Sequence, residues 1–202
     1  MTITLSEIIS GIGTVGGLYI AYQGLTTWKK QLKGQVEYEL SRRVVASLLK
    51  HKDAISAFRY PAMFVYEMPE PPHDEKKCNN DEENRFYGKS KAYEARWEKV
   101  QDASTNLKTD LLEAEAIWGE EFIALFKQIF VLEHELFIIA RNHLLLINPS
   151  TSQETKQAIQ EIIRKKRDIL YDDLSDDGDE FKNELNTEIK KVKEYLKPKL
   201  VH

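Results

Sequence analysis

The sequence predicts an all-α protein: one N-terminal transmembrane helix followed by a cytoplasmic antiparallel helical bundle. Three observations lead there. Residues 8–28 contain no charged side chain. Beyond them, apolar residues recur at spacings of three and four, the period of a helix with one buried face. No stretch alternates with period two for a useful length, and there is no internal repeat.

The first segment sets the architecture. About 21 residues at about 1.5 Å each match the roughly 30 Å hydrocarbon core of a bilayer. A cleaved signal peptide would begin basic and end at small residues, whereas here Glu7 precedes the run and Gln23, Thr26 and Thr27 close it. An uncleaved anchor is expected over residues 1–28, with residues 29–202 as the helical domain. Lys29, Lys30 and Lys33 follow the run while residues 1–6 have no Lys or Arg. The positive-inside rule then places the N-terminus outside and the domain in the cytoplasm. Tyr22 and Trp28 fall at the expected headgroup level, and the three lysines can snorkel beyond them to lipid.

Five of the nine glycines lie in this segment: Gly11, Gly13, Gly16, Gly17 and Gly24. Gly13, Gly17 and Ala21 recur at i, i+4 and i+8, with Gly24 on the flank, which makes a small-residue face. Such faces let helix backbones approach closely, so self-association is expected, although glycines are frequent in membrane helices generally.

Within the domain, Val36, Leu40, Val44, Leu48, Ile55 and Phe58 continue a helical stripe up to Pro61. Gly34 marks either a bend or an uninterrupted passage. A flexible loop is expected at about residues 66–85, where Pro69, Pro71 and Pro72 precede a polar run. Helical pattern resumes from Tyr87 to Trp118, and Gly119 interrupts it. Residues 122–147 are the most apolar stretch of the domain. Glu133, His134, Glu135, Arg141 and His143 make it a buried core helix rather than a second span, because charges at the centre of a membrane helix are costly. Ser152 is the expected cap of the next helix, and an acidic turn leads to the last one through Phe181, Leu185, Ile189, Val192 and Leu196.

Composition narrows the function. With 29 basic and 33 acidic residues the net charge is -4, which disfavours nucleic acid as a partner. A single cysteine, Cys78, excludes an intramolecular disulfide and a Cys-rich zinc site, and fits a reducing compartment. No catalytic residue, cofactor or metal is expected. Glu133, His134, Arg141 and His143 read as a polar cluster in the core. Asp173, Ser175, Asp177, Gly178 and Glu184 occupy EF-hand positions, but no second loop exists and a carboxylate turn capping the final helix accounts for them equally. Arg164, Lys165, Lys166 and Arg167 form a basic patch that reads as a solvated face.

The run Gly17-Leu-Tyr-Ile-Ala-Tyr-Gln-Gly-Leu-Thr-Thr-Trp28-Lys-Lys-Gln-Leu-Lys-Gly-Gln-Val-Glu-Tyr-Glu-Leu40, with Leu112-Glu-Ala-Glu-Ala-Ile-Trp-Gly119 later, resembles uncharacterised bacterial single-pass membrane proteins with a helical cytoplasmic domain. In layout the chain also resembles the membrane accessory proteins of type VI-B CRISPR systems, with their divergent HEPN-like fold. That resemblance implies the bacterial inner membrane, pore formation and phage defence. HEPN-like RNases place four to six residues between Arg and His, whereas Arg141 and His143 are separated by one. The expected function is therefore a homo-oligomeric pore or membrane-perturbing assembly. The alternatives are a membrane-tethered adaptor for a protein partner and, third, a membrane-bound RNase.

Overall fold

The computed structural model describes residues 5–72, 81–175 and 179–200, with side chains described from Gly16 onward. Everything regular in it is helical. Helix α1, Leu5–Phe58, is followed by a 3-10 turn at Val65–Glu67 and by α2, Asp81–Trp118; then come α3, Glu120–Ala124, α4, Lys127–Ile147, α5, Gln153–Arg164, and α6, Glu180–Leu196, which runs into a 3-10 turn at Lys197–Lys199. The all-α expectation holds.

Helix α1 has 54 residues, a rod of about 80 Å at about 1.5 Å per residue. Gly34 does not interrupt it. Its second half enters the bundle at Leu40 and buries Val44, Leu48, Ile55 and Phe58. Between Gly16 and Glu39 nearly every residue is exposed.

Helix α2 returns antiparallel to that half: Arg43 pairs with Glu113, the Ser47 hydroxyl donates to Asp110, and Phe58 meets Trp97 edge-on at 5.2 Å. Helix α4 reverses again, with Ser104 opposite Glu133, Trp97 opposite Phe137 and Tyr93 opposite His143. Helix α6 closes the bundle antiparallel to α1, Asp179 pairing with Arg59 at one end and Lys199 approaching Glu37 at 3.7 Å at the other, where Phe122 meets Tyr195 at 4.9 Å. Val100, Leu107, Ile129, Leu132, Leu136, Phe181 and Val192 fill the centre. Helix α5 is peripheral and buries only Ile159.

Of the expected loop at 66–85, residues 66–72 and 81–85 are described. Glu67 closes a 3-10 turn by accepting from the Phe64 amide at 2.9 Å, and α2 already starts at Asp81. Gly88 is buried, and a Cβ there would meet Met68 Cβ at 3.2 Å. Cys78 lies outside the described residues. At the other boundaries local chemistry acts as expected: Ser152 caps α5 by accepting from the Thr155 amide, and Asp179 caps α6 by accepting from the Lys182 amide.

The structure does not support the single transmembrane helix. No helix among the described residues is long and apolar enough to cross a membrane. The side chains of residues 8–15 lie outside those described, and the remainder of the expected span is diluted by Tyr19, Tyr22, Gln23 and glycine before Lys29 and Lys30.

Gly119 separates α2 from α3 at φ +77°, ψ 179°, a conformation essentially reserved for glycine. Gly119→Ala should cost about 1 to 3 kcal/mol through backbone strain alone, because nothing lies within 4 Å of the added Cβ. Urea unfolding of the variant tests this; unchanged stability would show that the turn relaxes freely.

Candidate functional site

Two features stand out from the bundle: the uncovered first half of α1 and a set of buried polar groups on its second half. On the projecting half, Leu18, Ile20, Tyr22 and Trp28 are each more than 60% exposed. Gly17, Ala21 and Gly24 of the expected small-residue face are open, and a Cβ at Gly16, Gly17 or Gly24 would meet nothing within 4 Å. The side chain position of Gly13 lies outside those described. Helix glycines with open space around them cost about 1 kcal/mol each relative to Ala. No contact made by the described residues of this protomer requires them. Gln23 is the one strongly polar side chain between Gly16 and Trp28, and its amide donates to Tyr19 Oη at 2.9 Å. The Thr26 hydroxyl donates to the Gln23 carbonyl at 2.9 Å. Lys29, Lys30 and Lys33 are exposed, Lys33 lying 3.7 Å from Glu37.

Deeper in the bundle the expected polar cluster on α4 divides. His134 and Arg141, seven residues apart, share an exposed face. Glu133 and His143 turn inward to separate partners. Glu133 Oε2 lies 2.8 Å from His51 Nε2 and accepts from Ser104 Oγ at 2.9 Å. Burial raises the Glu133 carboxyl, yet the His51 and Ser104 contacts outweigh it and hold the group below its ordinary value. His51 is fully buried, and its Nδ1 has no partner. A proton on Nε2 facing the carboxylate leaves Nδ1 as a bare lone pair, a smaller loss than an orphaned N–H. His143 sits between the rings of Tyr93 and Tyr171, whose hydroxyls are 2.9 Å apart. Burial first, then Lys89, lowers its pKa. A half-buried imidazole and an exposed guanidinium do not form the paired site that RNase chemistry would use.

Two buried arginines, not foreseen from the sequence, organise the end of the bundle remote from the projecting helix. Arg59, only 2% exposed, donates to the carbonyls of Ile169 and Tyr171, each at 2.7 Å. It also pairs with Asp179 and lies 4.5 Å over the Phe181 ring. The Asp172 amide returns a bond to the Arg59 carbonyl at 2.9 Å. Arg96 binds both Glu67 oxygens and the carbonyls of Tyr60 and Ala62. That clamp holds up an exposed aromatic ladder, in which Tyr60 stacks on Phe64 at 6.5 Å and Phe64 on Tyr66 at 5.5 Å.

The acidic turn is consumed by these contacts. Asp172, Asp173 and Asp179 place carboxylate oxygens within 4.8 Å of one another. However, Asp179 serves Arg59 and the α6 cap, while Asp173 accepts from Ser175. Glu184, the last EF-hand position, accepts from Arg167 and Gln128, both at 2.8 Å. Asp177 and Gly178 lie outside the described residues. Arg167 also pairs with Glu135 at 2.7 Å, so one member of the basic patch has a structural role; Arg164, Lys165 and Lys166 stay exposed.

No family model, curated protein or solved structure matches this chain. Its function must be read from its own geometry.

The signal that could have exposed His51 and Arg59 was positional. His51 falls between Leu48 and Ile55 on the buried stripe, and Arg59 lies one turn after Ile55. A polar residue on an apolar face must bring its partner inside with it.

Two outcomes follow. Arg59→Ala strands Asp179 and the buried Ile169 carbonyl, and should lower stability by about 3 to 5 kcal/mol in denaturant melts. Glu67 is held at about 2, against an ordinary 4.5, chiefly by its Arg96 hydrogen bonds. Its folded pKa is depressed, so its contribution is complete above about 4.5 and is lost as the pH falls toward 2. Glu67→Gln should flatten the acid limb of stability over that window. An identical limb in wild type and variant would remove the Arg96 clamp from the account.

Proposed function

We propose that this chain is a homo-oligomeric membrane protein that perturbs or perforates a bilayer, with the first half of α1 as its lipid-facing and self-packing element. The supporting observation is that this half leaves the bundle carrying exposed Leu18, Ile20, Leu25 and Trp28 beside the uncovered Gly17, Ala21 and Gly24 positions. Contiguous exposed apolar surface of this kind signals a membrane or another chain.

The glycine content of the segment fits an assembly better than a lone span. In company, copies can turn glycine and Gln23 toward one another or toward a lumen, and keep Leu18 and Leu25, on the side of the helix opposite Gln23, toward lipid. The pairing of Gln23 with Tyr19 lowers the cost of desolvating that amide. Lys29, Lys30 and Lys33 then meet the headgroups on the side of the bundle. The resemblance of residues 17–40 to bacterial single-span proteins supports an inner-membrane location. The layout shared with CRISPR accessory proteins supports a role in phage defence.

Dye-filled vesicles and mass photometry of detergent-solubilised protein test the reading together. Wild type should form a discrete oligomer and release dye. Gly17→Leu should reduce both by at least about tenfold while far-ultraviolet circular dichroism of the bundle is unchanged. A monomeric, non-leaking wild type would end the proposal. Phage plaquing on cells expressing each form addresses the defence role.

One observation favours the adaptor reading as the alternative. Val65 and Tyr66 are 86% and 84% exposed on the loop that Arg96 clamps, and such a rigid aromatic tip suits a protein partner. A protein that binds vesicles but leaks no dye would select the adaptor.

A further inference from the structure

The outer surface of the bundle carries two features that fit each other but cannot meet within one protomer. The first is a groove of about 320 Å³ between α1 and α6, lined by Val45, Lys190, Lys193, Glu194, Lys197 and Leu200. Its floor is apolar and its rim cationic, because Lys190, Lys193 and Lys197 fall at i, i+3 and i+7 on one side of α6. Lys190 lies 3.9 Å from Glu194. Lys193 and Lys197 have no ion-pair partner among the described residues.

The second feature is a ridge on α2. Leu112 is 71% exposed, and Ala116 is exposed one turn later. Glu115 is exposed between them, and Glu120 and Glu121 are exposed just beyond Gly119 at the start of α3, again without ion-pair partners among the described residues. On α2 it is Asp110 and Glu113 that face Arg43 of α1. The helical period therefore turns Leu112 away from Arg43 of α1 and from the groove beside it.

Ridge and groove also stand at the same height. Phe122, just past the ridge, contacts Tyr195 of α6, and Lys199 lies 5.2 Å over the ring of Trp118. Both features therefore belong to the end of the bundle from which α1 projects. Copies that share a membrane must keep their α1 helices parallel, so a side-by-side contact can join only surfaces at equal height.

We infer that a second copy of this chain seats its α2 ridge in the α1–α6 groove, with Leu112 as the anchor and the ridge carboxylates facing Lys193 and Lys197. The inference rests on the assembly reading above and names the contact between the bundles. The contact is head-to-tail, and its repetition closes a ring if the rotation closes. The buried leucine supplies affinity and the charges set orientation and register.

Mass photometry of the detergent-solubilised full chain, with far-ultraviolet circular dichroism as a check on folding, tests it. Leu112→Asp should shift assembly to at least about tenfold higher protein concentration. The reversal pair Lys193→Glu with Lys197→Glu should do the same, as should Glu115→Lys with Glu120→Lys. Combining the two reversals in one chain should restore assembly at the wild-type concentration, which a merely damaged fold would not do. An oligomeric wild type whose mass none of these changes alters overturns the contact and leaves the membrane assembly standing. Reversals that weaken assembly but fail to rescue each other overturn the pairing of ridge with groove. A monomeric wild type overturns both readings together.

Discussion

The continuity of α1 through Gly34 governs the rest of the molecule. A helix that does not break at residue 34 cannot fold its first half back onto the bundle, so whatever apolar surface lies before Leu40 must be covered by something else. The second half of the same rod supplies one wall of the core through Leu40, Val44, Leu48, Ile55 and Phe58. One rigid element thus serves two environments. The orientation of the domain relative to the projecting segment is fixed by the helix itself and needs no interdomain contact.

Around that rod the bundle is held by two kinds of force with different reach. Leu, Ile, Val and Phe fill the centre at full burial and provide the non-directional part of the stability. Direction comes from polar groups that would be costly to strand. His51 with Glu133 and Ser104 ties α1, α4 and α2 at mid-height. Arg59 gathers the chain between α5 and α6 onto the end of α1, and Arg96 gathers the chain between α1 and α2. Those two arginines satisfy four carbonyls of irregular segments beside the helical core, that of Ile169 within the core itself. The acidic turn belongs to the same logic, since its Asp179 both caps α6 and neutralises Arg59.

The surface carries the functional argument. Uncovered glycines on α1 point to a close neighbour that the protomer does not supply, and the lysine-rimmed groove and acid-flanked ridge suggest where two bundles touch. These surfaces lie at the same end of the molecule. The aromatic ladder of Tyr60, Phe64 and Tyr66 lies at the other, where a partner in solution would find it.

Much of this was legible before any coordinates. Spacing placed the helices, Gly119 and Ser152 marked their ends, and the glycine count singled out the first segment, because all of these are local properties that a helix imposes on neighbouring residues. The polar cluster assigned to α4 was not legible: Glu133 and His143 depend on His51, Ser104, Tyr93 and Tyr171, which the chain brings together only after folding. No helix among the described residues is long and apolar enough to cross a membrane, and the chain from Tyr60 to Glu67 that leads into the proline-rich segment is held by Arg96 of α2. The sequence by itself determined which segments are helical and which face of each is apolar. Tertiary structure alone decided which polar groups are buried together and which surfaces remain open, since both depend on contacts between residues far apart in the chain.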